Sequence, residues 1–215
     1  MTESKLSGPF REDKILPFLY LITNRKSCYP KPLEEAVLEA LDSGIRFIQL
    51  REKDLDSRDL QILAEKIKPL ASKYKATLLI NGNIDIVLAV DTDGVHLPEV
   101  SMPVAEVRKL LGNDKIIGKS THLPLSLNDN DYKCIDFVTL SPVFNPGEKD
   151  YKAETIGINN LKKAIPEILV TVYALGGIQP THIIELKSIG VSGIAVSSGI
   201  MKAPDIKKRV EEYLK

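Results

Sequence analysis

His122 is one of three histidines in this chain, and it directly follows a short apolar run, in Lys119-Ser120-Thr121-His122. Imidazole titrates near neutrality, so a histidine at a strand end suits taking a proton and returning it. Two later runs end in Gly176-Gly177 and in Ser197-Ser198-Gly199. Glycine lets backbone approach a ligand closely, and free N–H groups at a helix start favour an anion. Arg51, Lys53 and Lys149 add cations that could surround an anionic substrate. Lys149 lies in the loop 145–157, whose length itself hints at function. The chemistry indicated is proton transfer on a phosphorylated small molecule. The plainer alternative is tight turns beside solvated charges. Of the other histidines, His96 sits inside an apolar strand pattern and reads as a hydrogen-bonded core residue. His182, in the first turn of a surface helix, reads as solvated.

Positioning such groups takes a regular scaffold. Apolar and β-branched runs at 18–23, 46–51, 76–80, 94–97, 115–119, 137–140, 170–175 and 193–197 predict eight strands. Amphipathic stretches between and after them predict helices over 32–43, 57–73, 84–90, 103–111, 159–165, 180–188 and 203–214, with Gly44 stopping the first. After the fifth strand, 123–131 holds Pro124 and the polar run Asn128-Asp129-Asn130-Asp131, which predicts a short or distorted helix. Eight strand–helix alternations argue for a single α/β domain, a (β/α)8 TIM barrel over 1–215 with an N-terminal extension at 1–17. An open doubly wound sheet is the alternative. In the barrel, the candidate residues all fall at strand C-terminal ends, where the βα loops gather.

Composition narrows the function classes. With 215 residues, 43% apolar and 27% charged, the chain can bury one large core without staples. Its 29 basic and 29 acidic residues cancel, so no global field favours nucleic acid or an anionic membrane. No apolar run reaches the roughly 18–20 residues of a spanning helix. The segment 1–14 is polar with no signal-like apolar stretch, so a cytoplasmic protein is expected. Cys28 and Cys134 are far apart without companion metal ligands and read as unpaired thiols.

Taken in order and spacing, several pieces resemble the thiamine phosphate synthase superfamily. They are Gln-Leu-Arg-Glu-Lys at 49–53, Asp-Gly-Val-His-Leu at 93–97, Gly-Lys-Ser-Thr-His at 118–122, Ser-Pro-Val-Phe at 141–144, Leu-Gly-Gly-Ile at 175–178 and Val-Ser-Ser-Gly-Ile at 196–200. The resemblance runs from Phe18 to Ile200 and implies the same (β/α)8 fold. It has two branches. The synthase joins a pyrimidine pyrophosphate to a thiazole phosphate with magnesium, held by carboxylates at the ends of the third and fourth strands. Gly82 and Ser101 stand in those places here. The TenI-type thiazole tautomerase aromatises a thiazole carboxylate phosphate by moving a proton. That branch looks like this chain in Asn81-Gly82, in Leu97-Pro98 and in the ending Gly193–Ile200.

The resemblance therefore implies an isomerase of thiamine biosynthesis with His122 as proton carrier. The substrate phosphate would lie at Gly176, Gly177, Ser197 and Ser198, and the carboxylate near Arg51, Lys119 and Ser120. Gln49, Lys53, Asn81 and Lys149 match further substrate positions. Asn145-Pro146-Gly147-Glu148 replaces the threonines that help bind pyrophosphate in the synthase. A carboxylate such as Glu148 about 5 Å from one phosphate charge costs roughly 3 kcal/mol at an effective dielectric near 20. No metal is expected unless the synthase alternative holds, in which case magnesium is. Asp85, Asp91 and Asp93 are the carboxylates that would then rebuild its site. A non-catalytic, phosphate-ligand-binding regulator is the third reading. The expected partner is a thiazole phosphate, with neither nucleic acid nor membrane, and the family is often a homodimer.

Overall fold

The computed structural model of the protein describes residues 15–123, 125–147 and 154–215. Strands β1 (Leu19–Ile22), β2 (Phe47–Leu50), β3 (Thr77–Asn81), β4 (Gly94–Leu97), β5 (Ile116–Thr121), β6 (Phe137–Leu140), β7 (Thr171–Leu175) and β8 (Gly193–Val196) are parallel. They close into a barrel in chain order, β8 pairing back onto β1. Around it run α1 (Leu33–Asp42), α2 (Ser57–Lys73), α3 (Ile84–Val90), α4 (Val104–Leu111), α5 (Asp129–Tyr132), α6 (Gly157–Ala164), α7 (Ile183–Ser188), α8 (Ser198–Met201) and α9 (Ile206–Leu214). The predicted closed barrel is the observed one, and the bounds of α2, α3, β4 and β6 coincide with the sequence periodicity.

Period-2 alternation divides each strand between two cores. Tyr20, Ile22, Phe47, Leu79, Ile116, Phe137, Tyr173 and Ala195 fill the barrel interior. Leu21, Ile48, Leu50, Leu78, Ile80, Val95, Leu97, Ile117, Val138 and Leu140 pack outward under the helices. The interior is aromatic: Tyr20 stacks on Phe47 with ring centres 4.0 Å apart, and Phe137 and Tyr173 meet edge-on at 5.3 Å. Room for those rings comes from missing side chains. A Cβ at Gly118 would lie 2.2 Å from the Phe137 ring, and one at Gly193 would lie 2.3 Å from Tyr173.

Three departures from the predicted elements have local causes. β5 runs on to Thr121 because Ser120 and Thr121 pair with Thr139 and Leu140 of β6. The weak unit after β5 is indeed short: α5 is one turn, started by Asn128, whose side chain accepts from the Asn130 and Asp131 amides. The helix expected at 203–214 starts only at Ile206, after Pro204, where Asp205 caps α9 by accepting from Lys208 N at 2.8 Å; the one-turn α8 before it is not among the predicted helices.

The N-terminal end of the barrel is structural. Tyr173 Oη donates to Pro17 O at 2.6 Å. Arg108 and Asp136, 10% and 6% exposed, pair at 2.8 Å, and Asp136 also accepts from Ile117 N at 2.7 Å. Cys28 and Cys134 are both free thiols. No helix among the described residues is long and apolar enough to cross a membrane.

Candidate active site

At the opposite end, the βα loops enclose a cavity of about 780 Å³. Gln49, Arg51, Lys53, Asn81, Ser120, His122, Gly176, Gly177, Ser197 and Ser198 all line it. Alternation explains the convergence, because 49, 51 and 53, then 79 and 81, then 118, 120 and 122 share the inward parity of Phe47, Leu79 and Ile116. Lys149 and Glu148 lie outside the described residues.

His122 has a partner that the sequence did not single out. Its Nδ1 lies 2.9 Å from Glu99 Oε2, the two side chains being 44% and 42% exposed. A carboxylate oxygen accepts, so Nδ1 carries the proton, and in the neutral ring the acceptor is then Nε2. The β4–α4 loop thus orients the imidazole in the cavity wall that His122, Glu99 and Ser120 line together. Glu99 sits in Leu97-Pro98-Glu99, directly beyond a strand end, and that position was the only available signal.

Beneath them runs a buried chain of hydrogen bonds. Gln49 Nε2 donates to Tyr20 Oη at 2.9 Å, and Tyr20 Oη lies 3.3 Å from His96 Nδ1. His96 Nε2 lies 2.9 Å from Ser120 Oγ and 3.3 Å from Thr139 Oγ1. Burial holds His96 neutral, with its pKa pushed down to about 3, and the positive charges of Arg51 and Lys119 push the same way. Direction then propagates. The phenol, having accepted from Gln49, donates to Nδ1; Nε2–H donates to Ser120; Ser120 keeps its own proton for the cavity. His96 is the hydrogen-bonded core residue expected, and it also lines the cavity.

The glycine loops are packed as well as open. Gly176 and Gly177 have φ of +98° and +62°, and a Cβ at Gly177 would lie 2.4 Å from Asn145 O. Gly199 leaves room for Tyr213, whose Oη would be 2.5 Å from its Cβ and donates to Ile178 O at 2.8 Å. One tyrosine of α9 therefore ties the β7 and β8 loops together. The first amides of the short helix α8 have no helical acceptor by construction. Arg51 lines the cavity half-buried, and burial lowers its pKa, Glu52 opposing. A bound anion would offset that desolvation. Lys202, at the end of α8, is a further cation on the same wall that sequence reading missed.

Two expectations need correction. Lys119 does not line the cavity: it has the outward parity of Ile117, and its ammonium donates to Pro98 O, Glu99 O and Ser101 Oγ at 2.8, 2.8 and 2.7 Å. All three protons are engaged within the protein. His182 is not simply solvated, since its ring packs on Phe144 at 3.9 Å and its Nδ1 accepts from Gln179 N.

The donor set does not suit a magnesium ion, which takes near-octahedral oxygen ligands anchored by one or two carboxylates. Among the described residues lining the cavity, Glu99 is the one carboxylate, and it faces His122. Ser101 Oγ already accepts from an ammonium. Asp91 caps the far end of α3 and pairs with Lys115, Asp93 accepts from Leu78 N at 2.7 Å below β4, and exposed Asp85 is not part of the lining.

Fold and cavity together define a (β/α)8 barrel with a cationic, glycine-lined mouth suited to a small anion. A family model described as thiamine monophosphate synthase matches residues 19–200, and the chain belongs to this family of thiamine-biosynthesis enzymes. Among its relatives, the thiamine-phosphate synthase of Ruminiclostridium cellulolyticum is 38% identical over 203 residues, covering 94% of this chain and 96% of that protein. The putative thiamine-phosphate synthase 2 of Aquifex aeolicus is 43% identical over 180 residues, covering 84% and 95%. The solved structure of thiamine phosphate pyrophosphorylase from Pyrococcus furiosus superposes with a TM-score of 0.80 at 34% identity, covering 91% of this chain and 93% of that one.

Proposed function

We propose that this enzyme is a metal-independent thiazole tautomerase of thiamine biosynthesis, aromatising a phosphorylated thiazole carboxylate. The observation that carries the reading is the Glu99–His122 pair on the same cavity as the two glycine loops. The phosphate lies against Gly176, Gly177, Ser197 and Ser198, and the carboxylate accepts a hydrogen bond from the Ser120 hydroxyl and pairs with the Arg51 guanidinium. His122 Nε2 removes the ring C–H proton, its electron pair moves through the ring to the exocyclic double bond, and the imidazolium returns a proton to the exocyclic carbon. No atom is gained or lost, and aromatisation drives the step. A positioned acid–base group contributes about 10²–10⁴-fold. Replacing His122 with alanine and following conversion of the thiazole carboxylate phosphate tests the reading; unchanged turnover removes it.

A second reading is thiamine-phosphate synthase, the name carried by the relatives above. Gln49, Arg51, Lys53, Asn81 and Ser120, which match synthase positions, support it by lining one cavity. Against it stands the poor fit of the donor set to the magnesium that would bind the pyrophosphate. Incubation with hydroxymethylpyrimidine pyrophosphate, thiazole phosphate and magnesium separates the two, since formation of thiamine phosphate at a steady rate establishes the synthase.

A further inference from the structure

We infer that Lys119 is a positioning residue, an internal cation around which the β4–α4 loop folds so that Glu99 meets His122. This rests on His122 being the proton carrier proposed above. The pair itself is half-exposed, and an exposed ion pair contributes too little to hold two side chains in one geometry. Something else must fix the loop. Lys119 stands opposite Leu97 in the β4–β5 register, one residue before the Pro98 carbonyl it binds. From there its ammonium takes two successive carbonyls and the Ser101 hydroxyl, so the backbone of Glu99 is gripped at 2.8 Å while its side chain reaches the imidazole. The same strand end thus supplies both the strut, Lys119, and the base, His122. Lys119 is 8% exposed and not part of the cavity lining, and all three ammonium protons go to the loop beyond β4.

The test compares Lys119→Met, Lys119→Arg and the milder Ser101→Ala with the parent protein. Hydrogen exchange is read at 98–102, ring ¹⁵N shifts at His122, and kcat and KM on the thiazole carboxylate phosphate. Lys119→Met is expected to speed exchange at 98–102 about tenfold without changing the barrel strands. It is also expected to erase the dominant Nδ1–H signature and to lower kcat about 10–100-fold, as loss of supporting partners does. KM should move less than about threefold, because no ligand contact is lost. Arginine should restore most of the signature, and Ser101→Ala, which keeps both carbonyl bonds, should reproduce the loss in part even if the methionine variant fails to fold. An unchanged His122 signature and unchanged loop exchange overturn the inference. So does a KM increase with kcat intact, which would make Lys119 a ligand contact. If His122→Ala stays active while the exchange and ¹⁵N changes occur, the strut stands and the proton-carrier reading falls.

Discussion

His96 Nε2 lies 2.9 Å from Ser120 Oγ, joining a histidine buried in the barrel to a hydroxyl on the cavity wall. The Nε2–H donated to Ser120 leaves the serine its own proton, while the Nδ1 lone pair accepts from the Tyr20 phenol. Protonated His96 would put a proton on Nδ1, against the hydrogen that Tyr20 donates there, and that buried hydrogen bond would be broken or reversed.

Stability should therefore fall in acid. The His96 pKa is near 6.5 in the unfolded chain and about 3 when folded. The unfolded state then binds the extra proton below pH 6.5, so this contribution is whole above pH 6.5 and declines toward pH 3. The slope is roughly 1 kcal/mol per pH unit. Urea melts at pH 7.5, 6 and 5 should show this slope in the parent protein but not in His96→Gln, whatever the other titrations contribute.

Removing the Ser120 hydroxyl deprives the ligand of one donor directed at an anionic oxygen. A hydrogen bond to a charged group is worth about 1.5–3 kcal/mol, so Ser120→Ala should lower kcat/KM about 10–100-fold. The fold should change little, since the buried His96 Nε2–H that loses Ser120 Oγ still has Thr139 Oγ1 at 3.3 Å as an acceptor. Steady-state kinetics beside a thermal melt checks both halves.

Gly177→Ala puts a methyl group 2.4 Å from Asn145 O at a φ of +62°. The left-handed backbone alone costs about 1–2 kcal/mol. The clash should also displace the β7 loop and raise KM for the phosphorylated substrate. Gly112→Ala is the control: its φ is +71° but nothing lies within 4 Å of the new carbon. That variant should lose stability alone, with KM unchanged.

Arg108→Met leaves Asp136 without its guanidinium at the end of the barrel remote from the cavity. Breaking a buried pair on one side costs about 3–5 kcal/mol. Chemical denaturation should show a loss of that size, while activity per folded molecule stays at the parent level.

Much of this was legible in the chain itself. Strand and helix periods counted eight units, and the paired glycines at 176–177 marked a loop whose positive φ values only glycine adopts comfortably. The same alternation that placed Ser120 inward with Ile116 also places Lys119 outward with Ile117, so the Lys119 correction was available from period-2 logic at a strand end. The later start of the last helix followed from Pro204 and Asp205, which are local signals too.

The barrel, its family and the residues that crowd its mouth can be read from the chain alone, because these depend on short-range periodicity and local backbone chemistry. Which group holds which came only with folding. Glu99 finds His122 across 23 positions, Tyr20 finds His96 across 76, and the Lys119 ammonium finds the loop beyond β4. Those contacts exist because closing the barrel brings separate strand ends together and burial makes each polar group seek the nearest partner. No spacing along the chain records that choice.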